Sequence, residues 1–89
     1  MLSLIDENIS NLSQIKGNPA SIATLVLHAN KISNFTYVQR FINLRSFDLS
    51  SNNISSTQGS GLIYLEKLTM LNLSNNYNNS NKSKIRQMT

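Results

Sequence analysis

His28 and Asp48 are the residues whose types and spacing could do chemistry together, as acid–base partners or as metal ligands. A histidine beside a carboxylate is half of a general-base pair or half of a metal site. His28 is the single histidine, cysteine is absent, and the repeating pattern places no third ligand or nucleophile beside the pair. Gly59-Ser60-Gly61 lacks the length and the following Lys-Ser/Thr of a phosphate-binding loop. The expectation is therefore of no enzyme, no catalytic group, no metal and no cofactor, with His28 and Asp48 as polar residues on an open surface.

The elements that must position them come from a phrase spelled three times. Ile22, Leu25, Leu27, Asn30 and Ile32 are followed by Leu44, Phe47, Leu49, Asn52 and Ile54, and then by Leu68, Leu71, Leu73 and Asn76. The spacing L-x-x-L-x-L-x-x-N-x-I is that of a leucine-rich repeat, and it recurs at 22 and then 24 residues. A period in this range marks a solenoid. The fold class expected is α/β, a short leucine-rich-repeat solenoid. In it a right-handed superhelix carries parallel strands on a concave face and short helical turns on a convex face.

Strand alternation sends Leu25 and Leu27, Phe47 and Leu49, and Leu71 and Leu73 into one apolar column. It turns outward Thr24, Val26 and His28, then Ser46, Asp48 and Ser50, then Met70, Asn72 and Ser74, with Met1, Ser3 and Ile5 extending the same face. Adjacent strands stand roughly 4.8 Å apart, which brings His28 and Asp48 close. Asn30, Asn52 and Asn76 follow where the chain leaves each strand. Their amides are expected to form a structural ladder, bonding to buried backbone groups and to the next asparagine along.

Three segments follow. Residues 1–21 read as a degenerate opening repeat or N-terminal cap: Leu2, Leu4, Ile9, Leu12 and Ile15 lie in phase with Leu25, Leu27, Ile32, Phe35 and Val38 at an offset of 23, with Glu7 at the ladder position. Residues 22–76 hold the repeats, with returns carried by Val38, Phe41, Ile42 and Leu44 and by Leu62, Leu65 and Leu68. Gly59, Ser60 and Gly61 absorb the second return's two extra residues. Residues 77–89, rich in Asn, Ser and Lys, cannot bury enough apolar surface to offset ordering entropy and read as a disordered tail. So short a solenoid, with Leu71 and Leu73 expected to face solvent or the tail, lies near the lower limit for independent folding. A fragment, a truncated non-functional gene product, or a protein completed by a partner are the expectations.

The net charge of +4 resides mostly in that tail, through Lys82, Lys84 and Arg86. The body is weakly charged, and its outward face lacks the dense single-sign field that steers nucleic acid. A protein or peptide on the concave face is the expected partner, with the convex edge around Tyr37, Gln39, Arg40 and Tyr64 as the competing surface. No apolar run approaches the roughly 20 residues of a membrane span, and Asp6 and Glu7 interrupt the start before a signal-peptide core develops. The absence of cysteine suits a reducing cytosol. Seven N-x-S/T triplets, at Asn8, Asn11, Asn34, Asn53, Asn72, Asn78 and Asn81, follow from a composition rich in Asn and Ser and carry no glycosylation claim.

The N-x-I ending, in Leu25 to Ile32 and in "FDLSSNNIS" from Phe47 to Ser55, resembles the intracellular repeats of the protein phosphatase 1 regulator and U2A' splicing-protein class. More narrowly, "LIDENISNLSQI" of Leu4 to Ile15 with "LVLHANKIS" of Leu25 to Ser33 resembles the N-terminal repeat block of the leucine-rich-repeat and coiled-coil centrosomal family. The resemblance implies a cytoplasmic, non-catalytic scaffold at the centrosome or cilium base. An RNA-associated adaptor of the U2A' kind is the alternative it implies.

Overall fold

The computed structural model describes residues 1–55 and 61–77. Gly59, Ser60 and the Asn/Ser/Lys-rich segment from residue 78 onward, read above as a loosened return and a disordered tail, lie outside the described residues.

Four short strands, β1 (Leu2–Ser3), β2 (Thr24–Val26), β3 (Ser46–Asp48) and β4 (Met70–Asn72), form one parallel sheet in chain order. The register aligns Leu2 with Leu25, Leu25 with Phe47, and Phe47 with Leu71. Identical heights in the sequence phrase thus become identical heights in the sheet. The opening segment joins in phase, at the offset of 23 residues its apolar positions share with the next.

The core runs behind the sheet. Leu25, Leu27, Phe47 and Leu49 are wholly buried, and Ile32, Val38, Phe41, Leu44 and Ile54 pack in the same cluster. Leu71 and Leu73 are buried as well, at 4% and 5% exposure, so the last layer does not face solvent; the tail, the other expected neighbour, lies outside the described residues. They share the cluster with Leu62, Leu65 and Leu68 of the return that precedes them.

Each return is 3₁₀ rather than α. One turn spans Val38–Arg40 and another Leu62–Tyr64, and the opening segment carries two more at Leu12–Gln14 and Pro19–Ser21. Val38, Phe41 and Leu44 are spaced by three, the repeat of a 3₁₀ turn, and all three are buried. Ile42 falls off that period and is 57% exposed, against its grouping with the inward-facing positions. Pro19 sits at the start of its turn, where a missing N–H costs nothing, and Asn18 caps it by accepting from Ala20 N at 3.1 Å.

What makes successive turns of chain cohere is the asparagine at the end of each strand. Asn52 Oδ1 accepts from Ile32 N at 2.9 Å, while its Nδ2 donates to the carbonyls of Leu27 (2.9 Å), Leu49 (3.0 Å) and Ser50 (3.1 Å). Asn76 repeats this on Ile54 N and the carbonyls of Leu49, Leu73 and Ser74. Asn30 takes Glu7 N and Ile9 N and donates to Leu4, Leu27 and His28. Each amide therefore ties its own turn to the one before it. The ladder is built through backbone: among the described residues no asparagine side chain of the three bonds to another, contrary to expectation. A rise of one sheet spacing leaves a carbonyl and an N–H of the neighbouring turn nearer than its asparagine.

The residue before each ladder position adopts left-handed backbone: Asp6 (φ 57°), Ala29 (62°), Ser51 (58°) and Asn75 (59°). At Ala29, Ser51 and Asn75 that single reversal swings the next side chain inward, while Glu7 after Asp6 stays exposed. Asp and Asn tolerate the conformation, whereas Ala carries a steric penalty there.

Asn52→Ala is expected to lower the unfolding free energy by about 3 kcal/mol, because Ile32 N and Leu27 O lose a buried partner. Urea denaturation gives the loss, and hydrogen exchange at Ile32 N should accelerate more than at Ile54 N. Ala29→Gly should instead stabilise by about 1 kcal/mol in the same assay, by relieving the left-handed penalty.

Candidate functional site on the outward strand face

The sheet's outward face is the candidate site. Ser3, Val26, Asp48 and Asn72 form one register row across it, and Thr24, Ser46 and Met70 a second. Val26, Asp48, Asn72, Thr24 and Ser46 are half-buried, as are His28 and Ser74, while Met70, Met1 and Ile5 are exposed. The exposed apolar members, Met1, Ile5 and Met70, belong to the two edge strands or their flanks, and Val26 on β2 stands beside the polar Asp48 of β3.

Beyond each strand a short polar motif repeats. Asp48 Oδ1 accepts from Ser50 N at 2.9 Å and from Ser50 Oγ at 2.6 Å. Asn72 Oδ1 accepts from Ser74 N at 3.0 Å and from Ser74 Oγ at 2.6 Å. A side-chain oxygen bonding its own backbone two residues on is the Asx turn, and the serine hydroxyl doubles it. Asn72, the one N-x-S triplet inside a strand, thus has its amide oxygen committed to Ser74.

His28 and Asp48 are brought together, but through Ser50. His28 Nδ1 lies 2.7 Å from Ser50 Oγ, and Ser50 is 5% exposed, which corrects its place among the outward contact positions. The hydroxyl has one proton, and an ionised carboxylate can only accept. With that proton on the Asp48 bond, Ser50 Oγ must accept from His28 Nδ1–H, which assigns the neutral imidazole its Nδ1–H tautomer. The order His–Ser–Asp is not the nucleophile–His–carboxylate order that activates a hydroxyl, because here the serine proton faces the acid instead of the imidazole. Sequence spacing gave the proximity of His28 and Asp48 and missed the link. The missed signal was the 22-residue offset between His28 and Ser50, which puts them side by side on neighbouring turns.

No group of three or more His, Cys, Asp or Glu able to hold a metal occurs among the described residues. Among them, too, no helix is long and apolar enough to cross a membrane. The five described lysines and arginines, Lys16, Lys31, Arg40, Arg45 and Lys67, are all exposed and none occupies an outward strand position. Arg40 lies over the Tyr37 ring at 4.9 Å, and Lys67 Nζ donates to Asn43 Oδ1 at 2.8 Å. Tyr37, Ile63 and Tyr64 are exposed on the return side. Comparison with protein-family models gave no match, and comparison with curated proteins gave none either.

Ser50→Ala is expected to remove the acceptor of His28 Nδ1–H and release the imidazole to its other tautomer. Long-range ¹H–¹⁵N correlation of the ring nitrogens reads this directly, and the chain should lose about 1 kcal/mol of stability with the bond. An unchanged tautomer would remove Ser50 from its assigned place.

Proposed function

We propose that the chain is a leucine-rich-repeat solenoid acting as a non-catalytic protein-binding module, with a protein or peptide as its partner on the outward strand face. The observation that carries this reading is the parallel sheet in strict chain order, in which four strands present outward residues in register on a backbone tied by buried asparagines. A rigid, shallow, weakly charged face of this kind suits contact with a surface better than enclosure of a small molecule, which needs a concave pocket. Its polar side chains supply hydrogen bonds for orientation, and Met1 and Met70 supply side chains that adapt to different shapes. The phrase resemblance to the centrosomal scaffold family gives the same reading a setting in the cytoplasm, at the centrosome or cilium base.

The test is selection of binders from a displayed peptide library, followed by mapping on variants. Val26→Asp with Asp48→Arg should weaken selected peptides by more than tenfold while circular dichroism stays unchanged, and Tyr64→Ser should leave them within twofold. The reverse pattern would move the binding surface to the return side.

A further inference from the structure

Among the described residues the polar strip on the outward face presents two acceptors and no cation. Asp48 Oδ1 is occupied by both Ser50 donors, which orients the carboxylate and leaves Oδ2 with no partner among the described residues. His28 Nδ1 is turned to Ser50, so Nε2, across the ring, carries the remaining lone pair and is directed away from it. Both acceptors belong to groups that are half-buried and joined through one buried hydroxyl, so neither is a loose surface side chain. Meanwhile every described lysine and arginine lies off this face. Among the described residues Asp48 therefore has its hydrogen bonds but no countercharge.

From this geometry we infer that the face recognises an arginine of its partner, whose guanidinium donates one N–H to Asp48 Oδ2 and another to His28 Nε2. The assignment rests on the binding-module reading and names the chemistry of the partner. A guanidinium offers five donors in one plane and can span two separate acceptors, whereas an ammonium is a compact point charge that would serve the carboxylate alone. Charge complementarity favours a basic segment over an acidic or neutral one. The neighbouring strand supplies the control, because Asn72 holds the same two-bond contact to Ser74 that Asp48 holds to Ser50. Asp48→Asn thus preserves the turn while removing the charge and replacing the acceptor Oδ2 with an amide donor.

The experiment is an NMR titration of the ¹⁵N-labelled full chain with N-acetyl-arginine methylamide, followed at Ser50 N, Asn72 N and the His28 ring. Saturable shifts at these positions, weakened at least fivefold by Asp48→Asn in a variant with an unchanged far-UV spectrum, are expected. The lysine analogue should bind more weakly and the glutamate analogue should produce no shifts. Equal response to lysine, an unaltered response in Asp48→Asn, or shifts confined to the return side around Tyr37 and Tyr64 would each overturn the inference. So would no response at all. Library peptides that bind the strand face without arginine would sink this inference while leaving the module intact; absence of any strand-face binder would sink the broader reading.

Discussion

A primary amide carries an acceptor and two donors on one planar group, and the whole chain depends on where that group is placed. Asn30, Asn52 and Asn76 are buried at 6%, 5% and 8% exposure, each reaching back across one turn of chain to a backbone N–H and a backbone carbonyl. A buried backbone group without a partner costs about 1 to 3 kcal/mol, and three-residue strands cannot supply partners for the segments beyond them. The amide closes that gap. Neither Asp nor Leu could, the first for want of donors and the second for want of either.

Two features follow from the amide's demand. Its side chain must point inward just after an outward-facing residue, which the left-handed residue before it achieves at Ala29, Ser51 and Asn75. The backbone ladder then continues past each strand, as Leu27 N donates to Asp48 O at 2.8 Å and Ala29 N to Ser50 O at 3.0 Å. One more bond joins the turns beyond the amide, where Lys31 N, Asn53 N and Tyr77 N donate to Ile9, Ile32 and Ile54 carbonyls. The outward face is rigid because it is the reverse side of this lattice. His28, Asp48 and Ser50 inherit their alignment from it.

Asparagine is abundant here for reasons beyond the ladder. Asn11, Asn18 and Asn34 each accept a hydrogen bond from the backbone N–H two residues on, and Asn11 with Gln14 forms a reciprocal cap on the opening 3₁₀ turn. The N-x-S/T triplets at Asn11 and Asn34 are by-products of turn chemistry. Their frequency reflects how many bends a short-strand sheet needs per unit length.

The spacing of Leu25, Phe47 and Leu71 by itself determined the strands, their parallel register and the buried column, because side-chain alternation is a local property that any stacked arrangement must respect. It also determined which residues within the strands face outward, and it placed His28 near Asp48. Tertiary structure alone decided the rest. Ile42 faces solvent because the return winds with three residues per turn, a choice that the mixed spacing of Val38, Phe41, Ile42 and Leu44 left open. Ser50 became the buried link between His28 and Asp48, and the ladder amides chose backbone over one another, because a hydrogen bond is settled by distance and by which atom holds the proton. Those are relations between neighbouring turns of chain, and no single turn contains them.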